Sequence, residues 1–169
     1  MINKIPSSLP YEDTKPVGAA DFYFGINATF RFIRDRLGPD GLHRFWHDLG
    51  NDYFQPVSRL WQDGGLPAVA RYWRDFFAAE PGSEVKIQPS GEVVELEVTR
   101  CPAIAHLRTG GREIVPEYCQ HCYFVSEAMA SPCGLTVRVE GGNGTCRLRF
   151  FRPDATTPPQ DLGQITSCS

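Results

Sequence analysis

Apolar residues in the first half of the chain recur at spacings of three and four, the period of an amphipathic helix. The pattern predicts a first helix from Ala20 that ends at Gly38-Pro39 and a second that begins after Asp40. A third helix begins after Asp63-Gly64-Gly65 and ends at Glu80-Pro81-Gly82. The apolar positions of these helices are Phe22, Ile26, Phe30, Ile33, Leu37, Leu42, Phe45, Trp46, Leu49, Leu66, Val69, Tyr72, Trp73, Phe76 and Phe77.

The apolar period then changes to two, which predicts two β-hairpins. The first turns at Pro89-Ser90-Gly91 and the second at residues 141–144. Two helices lie between them, one from Cys101-Pro102 to about Arg108 and one over about 116–131. The order predicts an α+β fold, with the N-terminal helices packed on a four-stranded antiparallel sheet. In it, the two hairpins flank the Cys-bearing pair of helices.

The same pattern divides the chain of 169 residues into three parts. Residues 1–18 hold three prolines and little periodicity, so we expect a flexible arm. Residues 19–152 form a single domain, Cys-rich from about residue 100. Residues 153–169 have no periodicity and are expected to be a flexible tail.

Composition and charge exclude several classes of function. A formal net charge of −3 and singly scattered arginines give no basic patch for nucleic acid. No segment has the apolar length of a transmembrane helix, and the first residues lack the apolar run of a signal peptide. We therefore expect a cytoplasmic protein with no nucleic-acid or membrane partner. A homodimer is left open.

Cysteines carry the candidate chemistry, because thiols are soft metal ligands and strong nucleophiles. Five of the six lie within about fifty residues: Cys101, Cys119, Cys122, Cys133 and Cys146. Cys101 is at a predicted helix start, where the helix dipole favours a thiolate. Cys119 and Cys122 are three apart on a predicted helix, well inside it, and share a face. Cys168, one residue from the end, is assigned no role.

Other interpretations of these residues stay open. A free cysteine is often a small buried apolar residue, above all at Cys133 and Cys146. His43 and His47 have helical metal-site spacing but lack the glutamate of the zinc-protease motif, so a polar helix face is favoured. His106 shares its short helix with Cys101. His121 is expected to point away from the cysteines into solvent.

Three segments together resemble a known family: "TRCPAIAHLR", "PEYCQHC" and "GGNGTCRLRF". They are similar to the C-terminal signature of the L-2-amino-thiazoline-4-carboxylic acid hydrolase-like family. The resemblance covers about fifty residues and carries over Cys101, Cys119, Cys122 and Cys146. It implies a bacterial cytosolic protein with a fold like that of 4-vinyl-reductase-type small-molecule-binding domains. Many members have an acidic residue where this chain has Cys122, which leaves the substrate open.

Following the resemblance, the first hypothesis is a hydrolase that opens a small cyclic acid at a C=N bond. Cys101 or Cys119 would be the nucleophile and His106 the acid or base. Arg100 or Arg108 would hold the substrate carboxylate. A version of this hypothesis has Zn²⁺ bound by Cys119, Cys122 and Cys146, activating water.

The second hypothesis is a non-catalytic domain that binds a small molecule or a metal through the same residues. A third is that the cysteines are only a packed cluster and that the function lies elsewhere. Ligand-dependent stabilisation without product would distinguish the second hypothesis from the first.

Overall fold

The computed structural model describes residues 20–169, so the predicted arm at residues 1–18 lies outside the described residues. The fold is α+β, as the pattern predicts. The helices are α1 (Phe22–Asp48), α2 (Gln55–Ala79), α3 (Pro102–Thr109) and α4 (Gln120–Ala130). The strands are β1 (Glu84–Ser90), β2 (Val93–Arg100), β3 (Thr136–Gly142), β4 (Thr145–Phe151) and β5 (Ile165–Thr166).

The two long helices contain the predicted helix breaks as sharp kinks. Gly38 in α1 and Gly65 in α2 adopt positive φ angles of 68° and 58°, which glycine tolerates because it has no Cβ. A π-helical turn at Leu49–Tyr53 joins α1 to α2. Gly50 in this turn packs on α4, where an added Cβ would lie 2.6 Å from Cβ of Ala128. Within residues 20–169, none of the helices combines the length and hydropathy needed to cross a bilayer.

The sheet has five strands in the order β1-β2-β4-β3-β5, which corrects the prediction of four antiparallel strands. The two predicted hairpins form and pair through β2 and β4. The additional strand β5 pairs in parallel with β3, at Gly141 with Ile165 and Gly142 with Thr166. The strand β5 is only two residues long and follows a segment without apolar alternation, so the hydrophobic pattern does not predict it.

The two faces of the sheet differ as the alternation predicts. One face is charged and carries ion pairs such as Arg149–Glu140, with N···O 2.7 Å. The other is apolar and buried under the helices, with Val94, Leu96, Val137, Val139, Leu148 and Phe150. Trp61 of α2 is fully buried there, and its ring lies 5.5 Å from that of Phe150. Aromatic side chains of the helices therefore fill the space between α2 and the sheet.

Candidate functional site: a buried thiol cluster

Four cysteines meet where α3 and α4 begin beside the β3–β4 turn. Cys101 follows the last residue of β2 and is the N-cap of α3, and its backbone N–H donates to the Gly144 carbonyl at 2.8 Å. Cys119 is the N-cap of α4 and Cys122 lies in its first turn. Cys146 pairs with Val98 across the sheet, on the face that the helices cover. The C-x-x-C motif therefore lies at a helix N-terminus and not, as predicted, well inside a helix.

These four thiols line a largely enclosed cavity of about 20 Å³. The remaining lining residues are Tyr118, His121, Val139, Gly141, Gly142 and Gly144. That volume is about what one water molecule requires. No carboxylate, ammonium or guanidinium group is among the lining residues, so the thiols, the His121 imidazole and the Tyr118 phenol are the chemically active groups of the cavity.

Cys168 is a fifth member of the cluster, although no role was predicted for it from the sequence. Its side chain is buried, and its Sγ lies 3.2 Å from Sγ of Cys119. Its backbone N–H donates to the Pro116 carbonyl at 2.9 Å. Residues 162–169, here called the C-terminal segment, contain β5 and bring Cys168 to α4. The thiol cluster is therefore Cys101, Cys119, Cys122, Cys146 and Cys168.

Burial sets the protonation of most of the cluster. Desolvation raises the pKa of Cys101 to about 11, although hydrogen bonds from the backbone N–H groups of Ile104 and Ala103 act to lower it. Desolvation also raises the pKa of Cys122 to about 12 and that of Cys146 well above its usual range. These three thiols are neutral at pH 7 and are weak nucleophiles in this state.

The Cys119–Cys168 pair is asymmetric. The hydrogen bond between the two sulfurs lowers the pKa of Cys168 below its usual value and raises that of Cys119. Hydrogen bonds from the backbone N–H groups of Cys119 and Asn143 also lower the pKa of Cys168. Cys168 is therefore the cluster member most readily present as thiolate, with Cys119 as its proton-bearing partner. The prediction placed the reactive thiol at Cys101 or Cys119.

His121 lies at the cavity, although the sequence predicts that it points away from the cysteines. Its Nδ1 contacts the Tyr118 carbonyl at 2.5 Å, and burial lowers the pKa of the imidazole. Its ring nitrogens also lie 3.8 and 3.9 Å from Sγ of Cys122. His121 is therefore neutral at pH 7 and is the one imidazole that lines the cavity.

The predicted acid–base and carboxylate-binding residues lie outside the cavity. His106 stacks on Phe24 at 4.7 Å, and its Nε2 lies 3.0 Å from Oδ1 of Asp21. The exposed Arg100 pairs with Glu84 at 3.8 Å. The roles assigned to His106 and Arg100 stay predictions, and each would need a substrate that extends out of the cavity.

Arg108 is engaged with the protein itself. Its guanidinium donates to the Asn143 carbonyl at 3.0 Å, to the Asn143 side chain and to the Ser169 carbonyl at 3.2 Å. It therefore ties the β3–β4 turn to the end of the chain. A role in substrate binding would require Arg108 to exchange these partners for a carboxylate.

The predicted zinc site does not form in the described part of the chain. Among residues 20–169, no three His, Cys, Asp or Glu side chains are placed to hold one metal ion together. The residues present therefore do not fit a zinc ion in this arrangement.

The remaining histidines and Cys133 have local partners. His43 Nε2 lies 2.8 Å from Oε1 of Gln120, and His47 Nδ1 lies 3.1 Å from the Asn51 amide. Cys133 donates to the Ser58 carbonyl at 3.1 Å and lies outside the thiol cluster. These contacts agree with the structural interpretation of His43, His47 and Cys133.

Fold and site together define an α+β protein with a largely buried thiol cluster. Comparisons of the chain with models of protein families, with curated proteins and with solved structures find no match. Membership of the amino-thiazoline hydrolase-like family therefore stays a prediction, which rests on the three sequence segments that contain Cys101, Cys119, Cys122 and Cys146.

Proposed function

We propose that this chain is a small-molecule-binding domain and that the thiol cluster is its ligand site. The observation that carries the proposal is the enclosed cavity lined by Cys101, Cys119, Cys122 and Cys146. Thiols and neutral imidazole interact best with soft or electrophilic atoms. The expected ligand therefore presents one such atom to the sulfurs.

The cavity volume limits how the ligand binds. About 20 Å³ takes one small atom or group, not a whole heterocycle. A larger ligand needs a neighbouring segment to move. The C-terminal segment is suited to this, because its strand β5 is two residues long and lies at the sheet edge. We therefore propose that a ligand displaces residues 165–169 while its reactive atom enters the cluster.

A second candidate is the hydrolase, and the asymmetric Cys119–Cys168 pair favours it. The Cys168 thiolate would add to the carbon of a cyclic C=N bond while the ring nitrogen takes the Cys119 proton. The ring carbon–sulfur bond then breaks, and its electron pair leaves on sulfur with a proton from water. The resulting hydroxide displaces Cys168 from the same carbon as thiolate, and the hydroxide proton returns to Cys119 as the new C=O bond forms. Net, one water is added and both thiols are restored.

One experiment separates the two candidates. L-2-Amino-thiazoline-4-carboxylate is added to the reduced protein, and we measure both ring opening by mass spectrometry and the urea midpoint. A ligand at a hundred times its Kd stabilises the fold by about 2.7 kcal/mol. Stabilisation without ring opening supports the binding domain. Ring opening in proportion to protein supports the hydrolase.

Matched variants assign the result to the site. Cys122→Ser changes a cavity thiol, whereas Cys133→Ser changes a thiol outside the cluster. We expect Cys122→Ser to weaken the ligand effect and Cys133→Ser to leave it unchanged. Equal effects of both variants would contradict the thiol cluster as the ligand site. Neither stabilisation nor turnover with the native chain would exclude this compound as ligand and substrate.

A further inference from the structure

We propose that Cys119 and Cys168 are an oxidation site that forms a reversible disulfide with a small peroxide as oxidant. The two sulfurs lie 3.2 Å apart although 49 residues separate them in sequence. A disulfide bond has a sulfur–sulfur distance of about 2.05 Å, so an approach of about 1 Å forms it. The bond would join the C-terminal segment covalently to the start of α4.

Backbone hydrogen bonds hold both sulfurs in place. The Cys168 N–H donates to Pro116 at 2.9 Å, three residues before Cys119. The Asn143 N–H donates to Sγ of Cys119 at 3.2 Å, and the Asn143 side chain accepts from the Ser169 N–H at 3.2 Å. The β3–β4 turn therefore contacts Cys119 and Ser169, the residue next to Cys168, and holds the two sulfurs near each other.

The geometry also selects this pair among the six cysteines. Within residues 20–169, Cys119–Cys168 is the one pair whose sulfurs are hydrogen-bonded to each other. Cys133 instead donates to the Ser58 carbonyl. Although Cys119 and Cys122 form a C-x-x-C sequence, the structure pairs Cys119 with the distant Cys168.

The chemistry balances with hydrogen peroxide. The sulfur of Cys168, as thiolate, attacks one peroxide oxygen, the O–O bond breaks, and hydroxide leaves. This forms a sulfenic acid on Cys168. The sulfur of Cys119 then attacks Cys168, the S–O bond breaks, and the departing hydroxide takes the Cys119 proton as water. The first hydroxide takes up the proton that Cys168 lost on ionising, so in total two thiols are oxidised and one peroxide is reduced to two waters.

This inference does not rest on the proposed function, because it needs no ligand in the cavity. The disulfide would nevertheless affect that function. It would remove two of the five thiols from the cluster and hold in place the C-terminal segment, which a larger ligand must displace. Oxidation would then prevent such a ligand from binding, and a reducing thiol would restore it.

The test uses the full chain, first reduced and then treated with hydrogen peroxide. Free thiols are alkylated, and peptide fragmentation assigns each cysteine by mass spectrometry. We expect one disulfide between Cys119 and Cys168, a mass lower by two hydrogens before alkylation, and reversal by dithiothreitol. The native chain supplies this result, so the test does not depend on the folding of a variant.

Two variants sharpen the test. Cys168→Ser should lose the disulfide, and Cys133→Ser should form it as the native chain does. A disulfide of Cys119 with Cys122, a link from Cys168 to Cys101 or Cys146, or oxidation without any disulfide would each overturn the proposal.

Discussion

Sγ of Cys119 lies 3.2 Å from Sγ of Cys168, so the end of the chain contributes a thiol to a site built mainly from residues 101–146. The contact joins the N-terminus of α4 to a segment that pairs with β3 only at Gly141 and Gly142. Reactivity in the cluster therefore depends on how firmly the C-terminal segment is attached.

The Cys119–Cys168 disulfide should stabilise the fold. Closing a loop of 49 residues contributes about 4 kcal/mol to the free energy of unfolding by restricting the unfolded chain. Urea unfolding of the peroxide-treated and reduced protein measures the difference. Cys133→Ser should show the same gain and Cys168→Ser none. An unchanged midpoint after oxidation would contradict the prediction.

Stability should fall at alkaline pH because folded Cys101 and Cys122 retain their protons. Burial raises their pKa values from 9.0 to about 11 and about 12. Above pH 9 the unfolded chain binds fewer protons than the folded protein, so each thiol lowers the free energy of unfolding by about 1.4 kcal/mol per pH unit.

The Cys122→Ala variant isolates this effect. Between about pH 9 and 11 its free energy of unfolding should fall less steeply than that of the native chain, by about 1.4 kcal/mol per pH unit. Below pH 8 the two slopes should be equal. Urea titrations across the range measure both, and parallel curves above pH 9 would show that Cys122 is not the titrating group.

Gly142→Ala should detach the C-terminal segment. Gly142 has a φ of 153°, and an added Cβ would lie 2.4 Å from the Thr166 carbonyl oxygen. We expect iodoacetamide to alkylate Cys168 about tenfold faster, which corresponds to a loss of about 1.4 kcal/mol in local stability. Gly91→Ala is the matched control, because its φ is 56° and no atom lies within 4 Å. Equal rates in the two variants would contradict the prediction.

Arg108→Ala should loosen the same segment from its other side. The variant loses the hydrogen bonds to the carbonyls of Asn143 and Ser169. Amide hydrogen exchange at residues 165–169 should then be several-fold faster, since each bond contributes about 1 kcal/mol. Arg100→Ala removes an exposed arginine and should leave this exchange unchanged. Native-like exchange in Arg108→Ala would exclude an anchoring role for Arg108.

Glu127→Ala should destabilise the domain by about 2 kcal/mol. The Glu127 carboxylate accepts from the buried Thr136 hydroxyl at 2.8 Å and from the Val137 N–H at 2.8 Å, which ties α4 to the start of β3. Glu127→Gln keeps one acceptor oxygen and should cost less than half as much. Urea unfolding ranks the two variants, and equal losses would mean that these bonds contribute little.

The elements that periodicity describes could be predicted from the sequence. Alternation at Val94, Leu96 and Val98 indicated a strand with one apolar face, and that face is buried. Gly38-Pro39 and Gly64-Gly65 marked the kinks of α1 and α2, because glycine and proline change the backbone locally. The four cysteines that the family resemblance carries over, Cys101, Cys119, Cys122 and Cys146, line one cavity, but their meeting there is a property of the folded structure.

The position of Cys168 and the strand β5 could not be predicted in this way. Ile165 is buried by pairing with β3, a contact between distant parts of the chain that leaves no periodic pattern around it. The prediction that His121 points into solvent was likewise wrong. The helix α4 begins at Gln120, and this start determines which side chains of its first turn face the cavity.

By itself, the sequence determined the α+β class, the kinks, the two hairpins and the presence of a cysteine-rich half, since local backbone preferences and the apolar period decide these. The tertiary structure alone decided which thiols meet, which are neutral and which one shares a proton. Desolvation and hydrogen bonding set the pKa of a thiol, and both depend on neighbours such as Cys119 and Cys168 that only folding brings together.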